Sequence, residues 1–335
     1  MATLRIGIAH GPEDLPGGPA TGSRPRRKTD VEEISAVLAR AGHEVFSVVV
    51  DGSRDCLARL AKVEADLLFN LVEAFGEDDT KEPLVAGYYE LLGLRFTGSG
   101  PRGLSLAMDK ALTKEILHFH GLCTPKFVTV HRGRVGWAHE LEFPVIVKPV
   151  REDGSIGIGF NALVGSIKEL MERIDALHKD FDHPVIIEEY IEGREISVGL
   201  IGNTAPEAFP LVELDLSHLP EGTPHIAGTE VKWEEGSQAY RGSRYSLPDD
   251  LSPEVVQAVQ AAARTGYQAL QLRDYARFDF RLAPDGRAYL LEANANPYLH
   301  SGAEFIKGAR ASGRTHPQTI LEIVAQALSR YGLQS

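Results

Sequence analysis

Residues 277–297 read Arg277-Phe278-Asp279-Phe280-Arg281-Leu282-Ala283-Pro284-Asp285-Gly286-Arg287-Ala288-Tyr289-Leu290-Leu291-Glu292-Ala293-Asn294-Ala295-Asn296-Pro297. The alternation over 277–282 predicts a strand, Pro284-Asp285-Gly286 a turn, and 288–291 a returning strand. The hairpin carries Asp279 on one strand and is expected to place Glu292 and Asn294 just past the end of the other. Two carboxylates and an amide oxygen converging on one point form a hard-oxygen set suited to Mg²⁺. Arg277 lies two residues from Asp279 and so shares its strand face. Taken alone, the pattern also fits a solvated hairpin.

Three other segments fit the same site. A helix predicted over 105–120 contains Lys110 and Lys114, one turn apart on one face. The β-branched run 143–149 (FPVIVKP) ends in Lys148, where a lysine either snorkels or meets an anion. It leads into 151–160 (REDGSIGIGF), whose glycines supply free backbone N–H groups suited to covering a phosphate. A plain hairpin turn would also satisfy that glycine pattern. The run 185–190 (VIIEEY) is a strand ending in acids, and 191–195 (IEGRE) continues it. Such acids can accept from an adenine amino group and from ribose hydroxyls, or serve only as solvated charges in a connector.

The totals limit the alternatives. A chain of 335 residues can bury substantial cores and forms two or three domains. A net charge of −12 without a basic block argues against nucleic acid as a partner. Two cysteines, Cys56 and Cys123, are too few for a disulfide framework. No signal peptide precedes the first strand, and no apolar run approaches the ~18 residues of a membrane span, so a cytoplasmic location is expected.

Along the chain, strands are expected at 4–9, 44–50 and 66–70, with a helix over 31–41. The order β-loop-α-β-α-β implies a small parallel-sheet α/β unit. No GxGxxG follows the first strand, which excludes a dinucleotide fold. Residues 225–244 have little periodicity and read as a mobile loop. Long helices are expected at 252–270 and 318–331.

These segments together resemble the ATP-grasp superfamily, and within it the D-alanine–D-alanine ligase family. The resemblance runs from about Asp66 to Ala325. It is carried by Thr97-Gly98-Ser99, residues 107–114 (AMDKALTK), Val147-Lys148-Pro149, Glu188–Glu195, Arg277-Phe278-Asp279 and 291–297 (LEANANP). It implies an α/β fold with a parallel-sheet N-terminal domain over 1–98. A two-part α+β ATP-grasp fold then follows, with subdomains at 99–188 and 189–335.

The resemblance implies an ADP-forming ligase that joins a small carboxylate to an amine. It assigns Lys110 and Lys148 to the ATP phosphates, and Gly154, Ser155, Ile156 and Gly157 to the loop closing over them. Glu188 would accept from adenine beside the Tyr190–Ile191 backbone, and Glu195 would hold the ribose. Asp279, Glu292 and Asn294 would hold two Mg²⁺, or Mn²⁺, and Arg277 would face the transferred phosphate. Lys232 and Trp233 stand where the family has a Lys-Tyr pair, with Lys232 reaching the γ-phosphate. Family precedent also implies a homodimer.

The substrate contacts depart from the family's. A glutamate that begins the family's first helix is replaced by Val31, beside Asp30, Glu32 and Glu33. The family's histidine before the turn at Gly76-Glu77-Asp78-Asp79 is missing, and Glu73 precedes that turn. A family glycine becomes Tyr298, and its Ser-Leu pair becomes Ala303-Glu304. The expected substrate residues are therefore Glu73, Tyr298, His300, Ser301 and Glu304, with an acceptor other than plain D-alanine. Glu304 would either meet the substrate or face solvent. Arg24, Arg26, Arg27 and Lys28 would bind an anion or remain solvated. Authentic D-alanyl-D-alanine synthesis, a nucleotide-binding module without ligase activity, and phosphorylation of a small molecule are the competing readings.

Overall fold

The computed structural model describes residues 3–12, 30–132, 141–152, 154–234 and 236–333. The early basic group Arg24, Arg26, Arg27 and Lys28 lies outside them. The chain begins with β1 (Arg5–His10), α1 (Asp30–Arg40), β2 (Glu44–Val49), α2 (Arg54–Leu60), β3 (Leu67–Asn70) and α3 (Glu82–Leu91). The three strands form a parallel sheet in the order β2-β1-β3. Ile6 to Ala9 are buried in the central strand, which explains their unbroken apolar run.

Two helices follow, α4 (Pro101–Met108) and α5 (Lys110–Phe119). The sequence suggested one helix over 105–120. Asp109 divides it, with extended backbone (φ −84°, ψ 96°) and a carboxylate that accepts from the Leu112 N–H at 3.0 Å. An aspartate is a stronger N-cap than helix-interior residue. The break puts Lys110 at the first position of α5.

Next come β4 (Phe127–Val130), β5 (Val145–Pro149), β6 (Leu163–Val164), α6 (Ile167–Asp180) and β7 (Val185–Glu189). They build an antiparallel sheet, β4-β7-β5-β6. Leu170, Ile174 and Leu177, at helical spacing on α6, cover Val147, Val185 and Ile187.

The remainder comprises β8 (Arg194–Ile201), β9 (Glu207–Ala208), β10 (Val212–Asp215), α7 (Thr229–Lys232), α8 (Gln238–Gly242) and β11 (Arg244–Ser246). It continues with α9 (Pro253–Ala269), β12 (Tyr275–Leu282), β13 (Ala288–Asn294), α10 (Glu304–Ala311) and α11 (His316–Arg330). The third sheet runs β11-β10-β8-β12-β13, with β9 beside β8. Residues 225–244, expected as loop, instead contain α7 and α8. Helices this short show no period; what starts α8 is the Ser237 side chain, which accepts from the Tyr240 N–H.

The expected hairpin is β12–β13, but β13 is longer than expected and takes in Glu292 and Asn294. On β12, Phe278 and Phe280 are buried in one core with Val259, Ala263 and Tyr267 of α9. Burying those two rings stabilises the hairpin by about 3–6 kcal/mol. Helices α10 and α11 share a core with α1, β1 and β3, which joins the first sheet to the end of the chain. Among the described residues no helix is long and apolar enough to cross a membrane.

Candidate functional site

In the β12–β13 register Asp279 stands opposite Glu292, and Arg277 opposite Asn294; the register shifts immediately after Asp279. The pairing brings the four groups together at one end of the hairpin. Arg277 grips Asp279 with two parallel hydrogen bonds, Nε to Oδ1 and Nη2 to Oδ2, both 2.8 Å. Its remaining arm, Nη1, reaches Glu304 Oε2 at 2.5 Å. Asn294 Nδ2 donates to Asp279 Oδ2 at 3.1 Å.

Glu292 faces the lysines. Its Oε2 lies 3.9 Å from Lys110 Nζ, which also donates to the Glu152 carbonyl. Burial alone would raise the Glu292 carboxyl, but Lys110, Lys232 and Lys148 outweigh it and hold the group at about 2. Glu292 is therefore an ionised hard-oxygen donor at neutral pH, with Asp279 and the Asn294 amide beside it. Among the described residues no three His, Cys, Asp or Glu side chains cluster as a metal site. Mg²⁺ needs only one or two carboxylates when phosphate oxygens and water complete its shell. The residues present fit that requirement.

Behind this face lies a buried ion triad. Lys148 Nζ meets Glu188 Oε2 at 3.0 Å, and Lys114 Nζ lies 3.3 Å from Oε1. Lys114 also donates to the Leu291 carbonyl at 2.7 Å, which ties the triad to β13. Burial lowers the Lys114 ammonium from 10.5 to about 8, even though Glu188 pulls it back up. Glu188 Oε1 has no hydrogen bond of its own and remains able to accept one.

Glu195, the expected ribose residue, receives Arg281 Nη2 at 2.9 Å and the Ala227 N–H at 3.2 Å, both on Oε1. The Arg281 guanidinium lies 5.8 Å from the centre of the Tyr190 ring, and Ile191 beside it is buried.

The glycine-rich segment is tied to residues 225–244. Gly154, Ser155 and Gly157 all have positive φ, at 61°, 63° and 68°. The Ser155 hydroxyl donates to the Ala227 carbonyl at 2.9 Å, and the Trp233 indole N–H to Gly154 at 2.6 Å. Phe160 N–H donates to Glu230 Oε1 at 2.8 Å, and Thr229 N–H to the Ile158 carbonyl at 2.8 Å. Ile156 lies inside this joined pair of segments.

A cavity of about 410 Å³ opens from the hairpin end, lined by Glu73, Lys232, Trp233, Tyr245, Arg277, Asn294, Tyr298, His300 and Glu304. Tyr298 packs between Trp233, at 5.9 Å between ring centres, and His300, at 6.4 Å. Glu304 is largely covered in this wall, its side chain 14% exposed. Burial raises its carboxyl, but Arg277 and Lys232 more than reverse that, and it is ionised. Burial and the neighbouring Glu304 carboxylate keep the Tyr245 phenol protonated.

Ser301 does not line the cavity: its N–H and Oγ donate to Glu33 at 2.8 and 3.0 Å. The acids of the first helix thus hold the segment after the hairpin, since Asp30 likewise accepts from the Leu299 N–H at 3.3 Å.

Residues 116–325 match the model of the D-ala D-ala ligase C-terminus family. A D-alanine–D-alanine ligase of Cupriavidus necator is 31% identical over 282 residues, which span 83% of this chain and 80% of the relative. One from Bordetella petrii is 34% identical over 298 residues, 88% of this chain and 85% of the relative. The chain belongs to the D-alanine–D-alanine ligase family.

It is accordingly an ATP-dependent, ADP-forming ligase. The fold agrees with solved members. The D-alanine–D-alanine ligase of Bacillus anthracis complexed with ATP superposes with a TM-score of 0.77 at 22% identity, covering 98% of this chain and 99% of that one. A D-Ala:D-Ser ligase of Enterococcus faecalis gives 0.76 at 20% identity, over 97% and 100%.

Three groups in this ligase carry contacts that the sequence reading did not assign. Lys114 was noted only for its spacing. Arg281 continues the Arg277–Asp279 face by two more residues, a signal that was available. Tyr245 stands just past the segment expected to be loop, in the short β11, where no pattern marks it.

Proposed function

We propose that this protein is a carboxylate–amine ligase that activates its carboxylate substrate as an acyl phosphate and uses an acceptor other than plain D-alanine. The convergence of Arg277, Asp279, Glu292, Asn294 and Lys110 beside a 410 Å³ cavity that Arg277, Asn294 and Lys232 help to line carries this reading.

A carboxylate is a poor electrophile toward amines. Taking the γ-phosphoryl group of ATP converts it into an acyl phosphate with a good leaving group. The amine nitrogen then forms the C–N bond, the C–O bond to phosphate breaks, phosphate leaves with the electron pair, and the amine proton passes to water.

The protein's part is positioning and charge neutralisation. Lys110, Lys148 and Lys232 hold the phosphates, and Arg277 faces the phosphoryl group in transfer. Glu188 takes the adenine amino group, beside Tyr190 and Ile191, and Glu195 takes the ribose. Asp279, Glu292 and Asn294 would hold two Mg²⁺, which would neutralise phosphate charge. Gly154–Gly157, latched to Ala227 and Trp233, exclude water from the acyl phosphate. The enzyme acts in the cytoplasm as a homodimer.

The altered cavity wall supports the shift in acceptor. Glu304 puts a carboxylate and Tyr298 a phenol ring there, with Glu73 and His300 nearby. ADP release with ATP and Mg²⁺ across D- and L-amino acids and simple amines, singly and in pairs, tests the reading. Turnover is expected only with certain pairs. D-alanine alone giving D-alanyl-D-alanine by mass contradicts the acceptor assignment.

A further inference from the structure

We infer that the acceptor is a primary amine that carries no carboxylate: an amino alcohol, an amino amide or a diamine. The inference rests on the ligase reading above.

A free cation in the cavity wall would favour an acceptor carboxylate, and every arginine among the described lining residues already has a carboxylate partner. Three arginines line the described cavity, and each is already matched to a carboxylate of the protein. Arg151 Nε meets Asp109 at 3.0 Å, Arg244 Nε lies 3.6 Å from Asp215, and Arg277 is held by Asp279 and Glu304. Arg277 is the decisive case, since it borders both the cavity and the metal-ligand candidates. Its Nε, Nη1 and Nη2 all have carboxylate partners. Lys232, which also lines the cavity, is the residue assigned above to the ATP phosphates.

Glu304 does more than consume a cation. It is a carboxylate in the cavity wall, held by Arg277 Nη1 at 2.5 Å. The chain thus occupies the anion-binding side of Arg277 with a carboxylate of its own. An incoming carboxylate meets Glu304 at the same guanidinium and is repelled. A hydroxyl, an amide or an ammonium in that place instead donates to Glu304. The donor substrate's carboxylate is not subject to this exclusion, because it is drawn to the phosphate end, where Lys110, Lys148 and Lys232 gather.

The test pairs a set of D- and L-amino acid donors with matched acceptors: glycine, glycinamide, ethanolamine and ethylenediamine, and D-alanine with D-alaninamide. ADP release and product mass are followed for the wild type, Glu304→Gln and Glu304→Leu. The expected result is kcat/KM roughly a hundredfold higher for the carboxylate-free acceptors in the wild type. The preference should narrow or invert in Glu304→Gln and Glu304→Leu. A wild type that uses glycine or D-alanine as well as its amide overturns the inference and leaves the ligase reading intact. ATP-dependent phosphorylation of a donor with no amide product from any acceptor overturns both. The wild-type comparison stands even if a variant fails to fold.

Discussion

Glu188→Gln removes the charge that two buried lysines share while keeping the side chain's shape. In the wild type Glu188 sits 3.0 Å from Lys148 Nζ and 3.3 Å from Lys114 Nζ, with all three groups buried. At an effective dielectric of about 20, the two attractions amount to about 5 kcal/mol each, before the cost of desolvating the ions. The measurable loss on breaking such a pair is about 3–5 kcal/mol, because the partner is left charged and buried. Lys114 limits the damage: burial already brings it to about 8, so it sheds its proton once Glu188 is neutral. With an unfolding entropy of roughly 2.1 cal/mol/K per residue, a loss of that size lowers the melting temperature by about 4–7 °C. Thermal unfolding without nucleotide, for Glu188→Gln, Lys114→Met and the double variant, reads it directly. The double variant should lose clearly less than the sum of the singles. A drop under about 1 °C for Glu188→Gln, or strict additivity, would refute the triad as described.

The same lysine gives a pH dependence. Its folded pKa, about 8, lies below its unfolded 10.5, so folding expels a proton between those values and stability rises with pH across that window. Denaturant titrations should show that rise in the wild type and lose it in Lys114→Met. Gly193 has φ 150°, and a Cβ there would come within 2.1 Å of the Leu282 carbonyl oxygen. Gly193→Ala should therefore cost at least about 1–3 kcal/mol in urea unfolding and raise the KM for ATP. Trp233→Phe deletes the indole bond to Gly154 and should cost about 1 kcal/mol or less in stability. Its signature is a rise in ATP hydrolysis relative to product. Arg277→Lys keeps the charge but loses the two-pronged grip on Asp279, and kcat should fall by about 10²–10³.

The hairpin was legible because its physics is local. Alternation puts Arg277 and Asp279 on one face and Phe278 and Phe280 on the other, and the structure keeps that division. The parallel first sheet and the helices α9 and α11 were legible for the same reason, each having a period of its own. Asp109 was harder to read, since a cap residue inside an apolar pattern resembles a helical position until the backbone is seen. The partners of Glu188 and Glu304 were not legible at all. Lys114 is 74 positions from Glu188, and Tyr245 is 59 from Glu304, so only the packed sheets bring them together. The partner of Ser301 was equally illegible: its N–H and hydroxyl donate to Glu33, on the first helix.

The central claim is that ATP activates a carboxylate, and oxygen transfer tests it most directly. A carboxylate substrate that supports turnover is labelled with ¹⁸O at both carboxyl oxygens, and the phosphate product is weighed. Passage through an acyl phosphate predicts one ¹⁸O in each phosphate released during amide formation. Unlabelled phosphate alongside amide product would contradict the account, because the leaving oxygen would not have come from the carboxylate.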